Sequence, residues 1–266
     1  MTLLILTVIL IALILLFCGD KGVRAIISTV MNAGILLISL FLMYHGLSPI
    51  LVTTAACVII TAVTLFYQNE INVKSRVSFF SVLIVIAVMV PLIAFFASGA
   101  NAEGFNSEQY EITDSNGFTR NIDLSMFQIQ VSIMLIALIG TVIDTAVAIT
   151  SSIWEIRSAN PDITRKELTR SSFLVSKSIM ATSIHTIFYI YIAEYLTLLI
   201  QYLTDYSFAY VLNSKSLAGE FITISMTGCG CCLVCPVATI LGILLIHGSD
   251  NEGAKEKKKE PELPSA

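Results

Sequence analysis

Asp144 is the strongest candidate for a functional residue in this sequence, because it is an ionisable residue inside the apolar stretch Met126–Ile153. That stretch is long enough to cross a bilayer. A charged side chain at the bilayer centre costs roughly 2.5 to 3.5 kcal/mol on insertion scales. Such a group usually faces a polar interior, pairs with another side chain or carries protons. The position of Asp144 therefore indicates a functional site at membrane depth.

Small and polar side chains recur around Asp144 at spacings of three and four, which place them on one face of a helix. Small residues allow two helices to approach closely, so this face is predicted to pack against a neighbouring helix through Gly140, Ala148 and Ser151. The residues of the stripe are Gly140, Thr141, Asp144, Ala148, Ser151, Ser152 and Glu155.

A second stripe with the same spacing lies in the apolar stretch Phe173–Leu203, and Ala181 is its small packing residue. Counted from the cytoplasmic ends of their stretches, Asp144 and His185 are both about ten residues deep, or about 15 Å along a helix. The two stripes are predicted to face each other and to form one polar site that includes Thr141 and Thr182. The members of the second stripe are Ser178, Ala181, Thr182, His185 and Tyr189.

Two hypotheses fit a pair formed by Asp144 and His185. The pair could relay protons, because histidine titrates near neutrality and a neighbouring carboxylate tunes both groups. It could instead be a neutral hydrogen-bonded lock between two helices. Lys177 is expected to extend towards the inner membrane interface, with a role in the polar site as the alternative. Glu194 projects from a different helix face than His185 and is expected to reach the membrane interface or a partner subunit.

The composition predicts an all-helical, polytopic membrane protein, since 56% of the 266 residues are hydrophobic and only 13% are charged. We expect a transmembrane domain over 1–247 with an outer loop at 99–125 and a cytoplasmic connection at 154–172. A disordered cytoplasmic tail is expected over 248–266. About seven spans are predicted, at Met1–Cys18, Ala25–Tyr44, Pro49–Tyr67, Val77–Ser98, Met126–Ile153, Phe173–Leu203 and Phe221–His247.

Basic residues lie almost entirely on one side of these spans. The loops on the other side contain only two basic residues, Arg120 and Lys215. By the positive-inside rule, the N-terminus is outside and the C-terminus is inside. The basic residues after spans one, three, five and seven are Lys21, Arg24, Lys74, Arg76, Arg157, Arg165, Lys166, Arg170, Lys255, Lys257, Lys258 and Lys259.

The cytoplasmic connection contains a helix-start signal, because Thr164 and Glu167 have the spacing of a capping box.

A run of four cysteines in the last span has C-x-x-C spacing but no nearby histidine or carboxylate to complete a metal shell. We interpret these cysteines as small packing residues and expect no metal and no cofactor. No nucleophile, phosphate loop or nucleotide fingerprint stands out, so neither an enzyme nor a nucleic-acid partner is expected. The cysteines are Cys229, Cys231, Cys232 and Cys235.

Several segments together resemble the YibE/F family of bacterial membrane proteins. They are Gly140–Ile149 followed by Ser151 and Ser152, then Asn160–Leu168, Lys177–Thr182 with Thr186, and, nearer the N-terminus, Val63–Phe66 and Asn72–Ser75. The family includes longer members with an extra extracytoplasmic region and short ones that occur alongside a longer partner. The resemblance implies a short, YibF-like subunit that joins a longer YibE-like chain in the lipid bilayer of the bacterial cytoplasmic membrane.

The chain departs from the family pattern in one helix. Family members usually have Arg-Asp where this chain has Lys177-Ser178, and Asn where it has His185. A weaker resemblance connects it to SecD/SecF and other RND-type halves, in which a membrane Asp couples proton flow to work. Gly140, Asp144 and Glu155 are among the residues in the matching arrangement.

The expected function is that of a permease subunit in a proton-coupled transport or export complex, with Asp144 as proton carrier and His185 as its tuning partner. The alternative is a non-transporting accessory or scaffold subunit in which Asp144 is structural. Ser178, in place of the family's Asp, favours that alternative. The sequence names no substrate and no direction of transport.

Overall fold

The computed structural model describes residues 2–69, 71–99, 111–113, 119–121, 125–205, 207, 209 and 215–257. Within this part, six helices are long and apolar enough to cross a membrane, which confirms the predicted all-helical membrane protein. A π-helical segment, Val63–Gln68, continues the second helix, and two short antiparallel strands lie between the third and fourth. The elements are α1 Thr2–Tyr44, α2 Pro49–Ala62, α3 Val73–Gly99, β1 Glu111–Thr113, β2 Thr119–Asn121, α4 Met126–Ala159, α5 Arg165–Asp205 and α6 Lys215–Lys257.

Helix α1 contains a sharp bend that divides it into two apolar halves. Gly19 has φ 53° and ψ −132°, a backbone conformation that glycine adopts without a steric penalty. A Cβ added at Gly22 would lie 2.7 Å from the carbonyl oxygen of Ile14, so the chain turns back on itself here. Counting the halves of α1 separately gives the seven predicted spans, and the bend coincides with the first predicted cytoplasmic loop.

Helix α4 is the centre of the bundle and packs against α2, α3, α5 and α6. Its side chains Met134, Leu138 and Val142 are fully buried, because four neighbouring helices cover its apolar faces. Helix α6 approaches it closely at Gly230, where an added Cβ would lie 2.6 Å from Leu138 Cδ1. A second close approach occurs at Gly242 against Ile153.

Hydroxyl and amide groups join the helices inside the bundle. The Ser78 and Thr150 hydroxyls of α3 and α4 are 2.7 Å apart, and the Asn32 amide of α1 donates to Thr64 of the π-helical segment at 3.0 Å. Such contacts satisfy polar groups that would otherwise face hydrocarbon. They also fix the depth of one helix relative to another.

The predicted capping box at the start of α5 is confirmed. The Glu167 backbone N–H donates to the Thr164 hydroxyl at 3.4 Å, and the Thr164 backbone N–H donates to the Glu167 carboxylate at 3.2 Å. This reciprocal arrangement satisfies backbone donors that the first turn of a helix leaves open. The non-helical part of the cytoplasmic connection is therefore short, from Asn160 to Thr164.

Helix α6 extends beyond the predicted end of the transmembrane domain at residue 247. Helix α6 continues to Lys257, so the segment 248–257 of the expected disordered tail is helical, and 258–266 lie outside the described residues. Glu, Ala and Lys are good helix formers, and they dominate the end of this segment. Of the outer loop 99–125, only Gly99, Ser125, β1 and β2 are described.

Contacts at the two ends of the bundle join loops that are predicted to lie on the same side of the membrane. Lys21 at the bend of α1 and Lys74 at the start of α3 line the same cavity, although they belong to different predicted cytoplasmic loops. At the opposite end, the Ser48 hydroxyl donates to the Gln128 side chain at 3.2 Å. Residues predicted to share a side of the membrane therefore lie at the same end of the molecule.

Candidate functional site

A cavity of about 350 Å³ separates α4 from α5 and ends at Asp144. From Thr182 to Glu194, the α5 wall of the cavity extends about 18 Å along the helix axis towards its outer end. Its lining mixes hydroxyls and carboxylates with aliphatic side chains. The residues are Ala137, Thr141, Asp144, Thr182, Ser183, Thr186, Ile187, Ile190, Tyr191 and Glu194.

The rotation of α4 directs Asp144 towards this cavity. Its neighbours Val142, Ile143 and Ala146 are buried in the core, whereas Asp144 itself is exposed. The apolar face of α4 must pack inwards, so the helical period places Asp144 on the side that borders the cavity. The carboxylate is thus open to the space between α4 and α5.

Thr145 links three helices beside Asp144. Its hydroxyl is 3.3 Å from the Ser183 hydroxyl of α5 and 3.7 Å from the Cys231 sulfur of α6. It also donates to the Thr141 carbonyl at 2.7 Å within α4. Thr145 is fully buried, so this junction fixes the inner end of the cavity.

The structure brings together three of the predicted polar-site residues, since Thr141, Asp144 and Thr182 line one cavity. His185 is exposed and is not part of that lining. A direct pairing of Asp144 with His185 stays a prediction. The residues that α5 buries instead include Ser172, Ser176 and Ile187.

The small residues predicted to lie at helix contacts do not all do so in the structure. Among the described residues, a Cβ added at Gly140 would meet open space, and Ala181 is exposed. Ala148 and Ser151 are half-buried, and Ser151 lines a second cavity. The close approaches to α4 come from glycines of α6, since α6 and not α5 covers its central apolar face.

The structure also describes two other predicted features, Lys177 and the cysteines of α6. Lys177 is exposed and is close enough to Cys235 of α6 for an electrostatic interaction. Cys231 and Cys235 are buried, whereas Cys229 and Cys232 are exposed. In the part of the chain that the structure describes, no group of three or more potential metal ligands is present.

Glu194 was predicted to lie on a different face from His185 and to reach the interface or a partner subunit, but an acidic outer end of the Asp144 cavity was not predicted. Glu194 and Tyr191 line it, and Glu220 at the start of α6 lies close to both Glu194 and Tyr195. The rings of Tyr191 and Tyr195 are stacked, with centroids 6.4 Å apart. Continuing the four-residue spacing from Thr186 would have found Glu194, because residues at that spacing share a helix face.

The sequence profile of the YibE/F-like protein family matches residues 6–248, a range that includes Asp144 and both walls of the cavity. The chain belongs to this family. No curated protein and no solved structure matches it. The family assignment and the apolar helices together establish a YibE/F-like, multi-pass membrane protein.

Proposed function

We propose that this YibE/F-like protein is the permease subunit of a proton-coupled transport or export complex, in which Asp144 carries the proton. The observation that supports this is the position of Asp144 at the inner end of a cavity that extends towards the outer side of the bundle. An ionisable group at membrane depth that borders a cavity with hydroxyl and carboxyl groups in its wall suits a proton pathway.

The lining of the cavity suits proton access from outside. Glu194 lines the outer end of the cavity and Glu220 lies close to it, so two carboxyl groups that can bind protons stand at this end. Hydroxyls of Thr186, Ser183 and Thr182 follow along the wall towards Asp144 and can hydrogen-bond to water. Asp144 would bind a proton from this water and release it after a conformational change.

The exposed face between α4 and α5 supports the second part of the proposal, a partner subunit. Asp144 and His185 are exposed at a depth where hydrocarbon cannot hydrogen-bond to their polar groups. We propose that a longer YibE-like chain covers this face in the bacterial cytoplasmic membrane. His185 would then act at the contact with the partner, beside the cavity.

Cross-linking tests this arrangement. A photo-reactive amino acid at position 189, where Tyr189 is 69% exposed, should cross-link to a longer polytopic chain in native membranes. The same probe at position 80, where Phe80 of α3 is 54% exposed, is the matched control and should capture lipid. Purification in mild detergent should recover the same long chain. A homogeneous, active preparation of this chain alone would contradict the proposal that it needs a partner subunit.

A scaffold role is the second candidate, and the junction at Thr145 favours it. That junction holds three helices together beside Asp144, as expected of a region whose polar groups are structural. Asp144→Asn separates the two roles, because it keeps the size and a hydrogen-bonding group but cannot titrate. If this chain is a scaffold, the complex should keep its full activity with this change. If it is the permease, the complex should lose proton coupling.

A further inference from the structure

A second cavity, of about 290 Å³, lies at the cytoplasmic end of the bundle. The bend of α1, the end of the π-helical segment, the start of α3 and the inner half of α4 all contribute to it. It is distinct from the cavity at Asp144, and nothing in the proposed function depends on it. Its lining residues are Lys21, Gln68, Asn69, Asn72, Lys74, Ser75, Ser78, Val147, Thr150 and Ser151.

The charge of this cavity is one-sided. Among its described lining residues, Lys21 and Lys74 are cationic, and the others are amides, hydroxyls and one valine. An anion bound in the cavity would be attracted by both lysine side chains. The positive-inside rule explains why each lysine is cytoplasmic, but it does not explain why the fold brings the two together.

The polar lining is also held in place by hydrogen bonds. The Asn72 side-chain oxygen accepts from the Ser75 backbone N–H at 2.9 Å and from the Ser75 hydroxyl at 3.1 Å. The Asn69 amide donates to the Thr64 carbonyl at 3.2 Å, inside the π-helical segment. Single turns of π-helix occur frequently at functional sites.

We propose that this cavity binds a phosphate-bearing anion, either as free phosphate or as the headgroup of an anionic lipid. Lysine is a common phosphate ligand, and basic pockets between membrane helices on the cytoplasmic side bind lipid headgroups. The anion would hold Lys21 of α1 to Lys74 of α3. Because Thr150 and Ser151 belong to the lining, it would also contact α4 within two turns of Asp144.

The test uses the full-length chain with whatever subunits co-purify. Binding of inorganic phosphate is measured in detergent, and retention of phosphatidylglycerol over phosphatidylcholine is measured by native mass spectrometry from mixed nanodiscs. Lys74→Gln and Lys21→Gln should each weaken binding about tenfold, the loss expected for one charge-assisted hydrogen bond. Lys166→Gln, which removes an exposed lysine of the other cytoplasmic connection, is the matched control and should have no effect.

A second measurement needs no variant and covers a failure of either substitution to fold. Phosphate, or phosphatidylglycerol in nanodiscs, should slow acylation of Lys21 and Lys74 by an amine-reactive reagent and leave Lys166 unchanged. Protection by phosphate identifies a free anion, and protection by the lipid alone identifies a headgroup. The proposal is overturned if neither probe protects the two lysines, or if Lys166 is protected to the same degree.

Discussion

The hydroxyls of Thr145 and Ser183 are 3.3 Å apart and join α4 to α5 one residue from Asp144. In two antiparallel helices this contact sets position 144 level with position 184. Cys231 of α6 reaches the same junction. The inner end of the cavity is therefore held by three helices, and the junction can be weakened without changing the carboxylate.

Replacing Ser183 by Ala should reduce stability only slightly, because polar contacts between membrane helices average about 0.6 kcal/mol. Thermal unfolding in detergent measures the change. Ser225→Ala is the control, because the Ser225 hydroxyl donates to the Phe221 carbonyl of the same helix and this bond does not join two helices. If both variants unfold at the same temperature, the Thr145–Ser183 contact does not stabilise the bundle.

Gly230→Ala should destabilise the packing of α6 on α4. The added methyl would lie 2.6 Å from Leu138 Cδ1 and 3.2 Å from Val142 Cγ2, and overpacking of this kind costs about 1–3 kcal/mol. Gly140→Ala is the matched control, because its methyl meets open space in this chain. The measurement is the unfolding midpoint of each purified variant. Equal midpoints would show that α6 and α4 are not packed as described.

Thr164→Ala should loosen the start of α5 by about 1 kcal/mol, the usual effect of losing a helix N-cap. Hydrogen exchange of the Arg165–Thr169 backbone should quicken in this variant. Thr169→Ala is the control, since the Thr169 hydroxyl bonds to the Arg165 carbonyl one turn later and does not cap the helix. Unchanged exchange in Thr164→Ala would mean that the capping box does not hold this end.

The membrane orientation can be checked by cysteine labelling. After the exposed native cysteines Cys18, Cys229 and Cys232 are replaced, a cysteine introduced at Asn160 should react from the cytoplasmic side only. A cysteine introduced at Glu108 in the outer loop should react from outside only. The basis is the one-sided distribution of Lys and Arg. The reverse pattern at either position would overturn the topology.

The helices and the relative level of α4 and α5 could be predicted from the sequence, because the length of each apolar stretch follows the thickness of the bilayer. The level of Asp144 is an example. It was predicted opposite His185, and the Thr145–Ser183 contact places it opposite position 184. The capping box at Thr164 was predictable for a similar reason, since its contacts span only three residues.

The rotation of α5 could not be predicted in the same way. Helix α5 has both an exposed stripe with His185 and an inward face with buried Ser176 and half-buried Ser183, and both carry small hydroxyl residues. Which face turns inwards is decided by fit against α6, for example by the Ser176 and Thr239 hydroxyls 2.8 Å apart. Such contacts are long-range in sequence, and no local pattern specifies them.

Labelling with a hydrophobic carbodiimide tests the central claim most directly, because the reagent modifies a protonated carboxyl group at membrane depth. In native membranes, the mass-spectrometric yield of modified Asp144 is measured at an acidic and an alkaline external pH. Asp144→Asn controls for the site, and exposed Asp162 of the cytoplasmic connection controls for reaction in water. A proton carrier should be modified at acidic pH and clearly less at alkaline pH. Equal modification at both pH values, or none at either, would show that Asp144 does not exchange protons and would contradict the proton-carrier role.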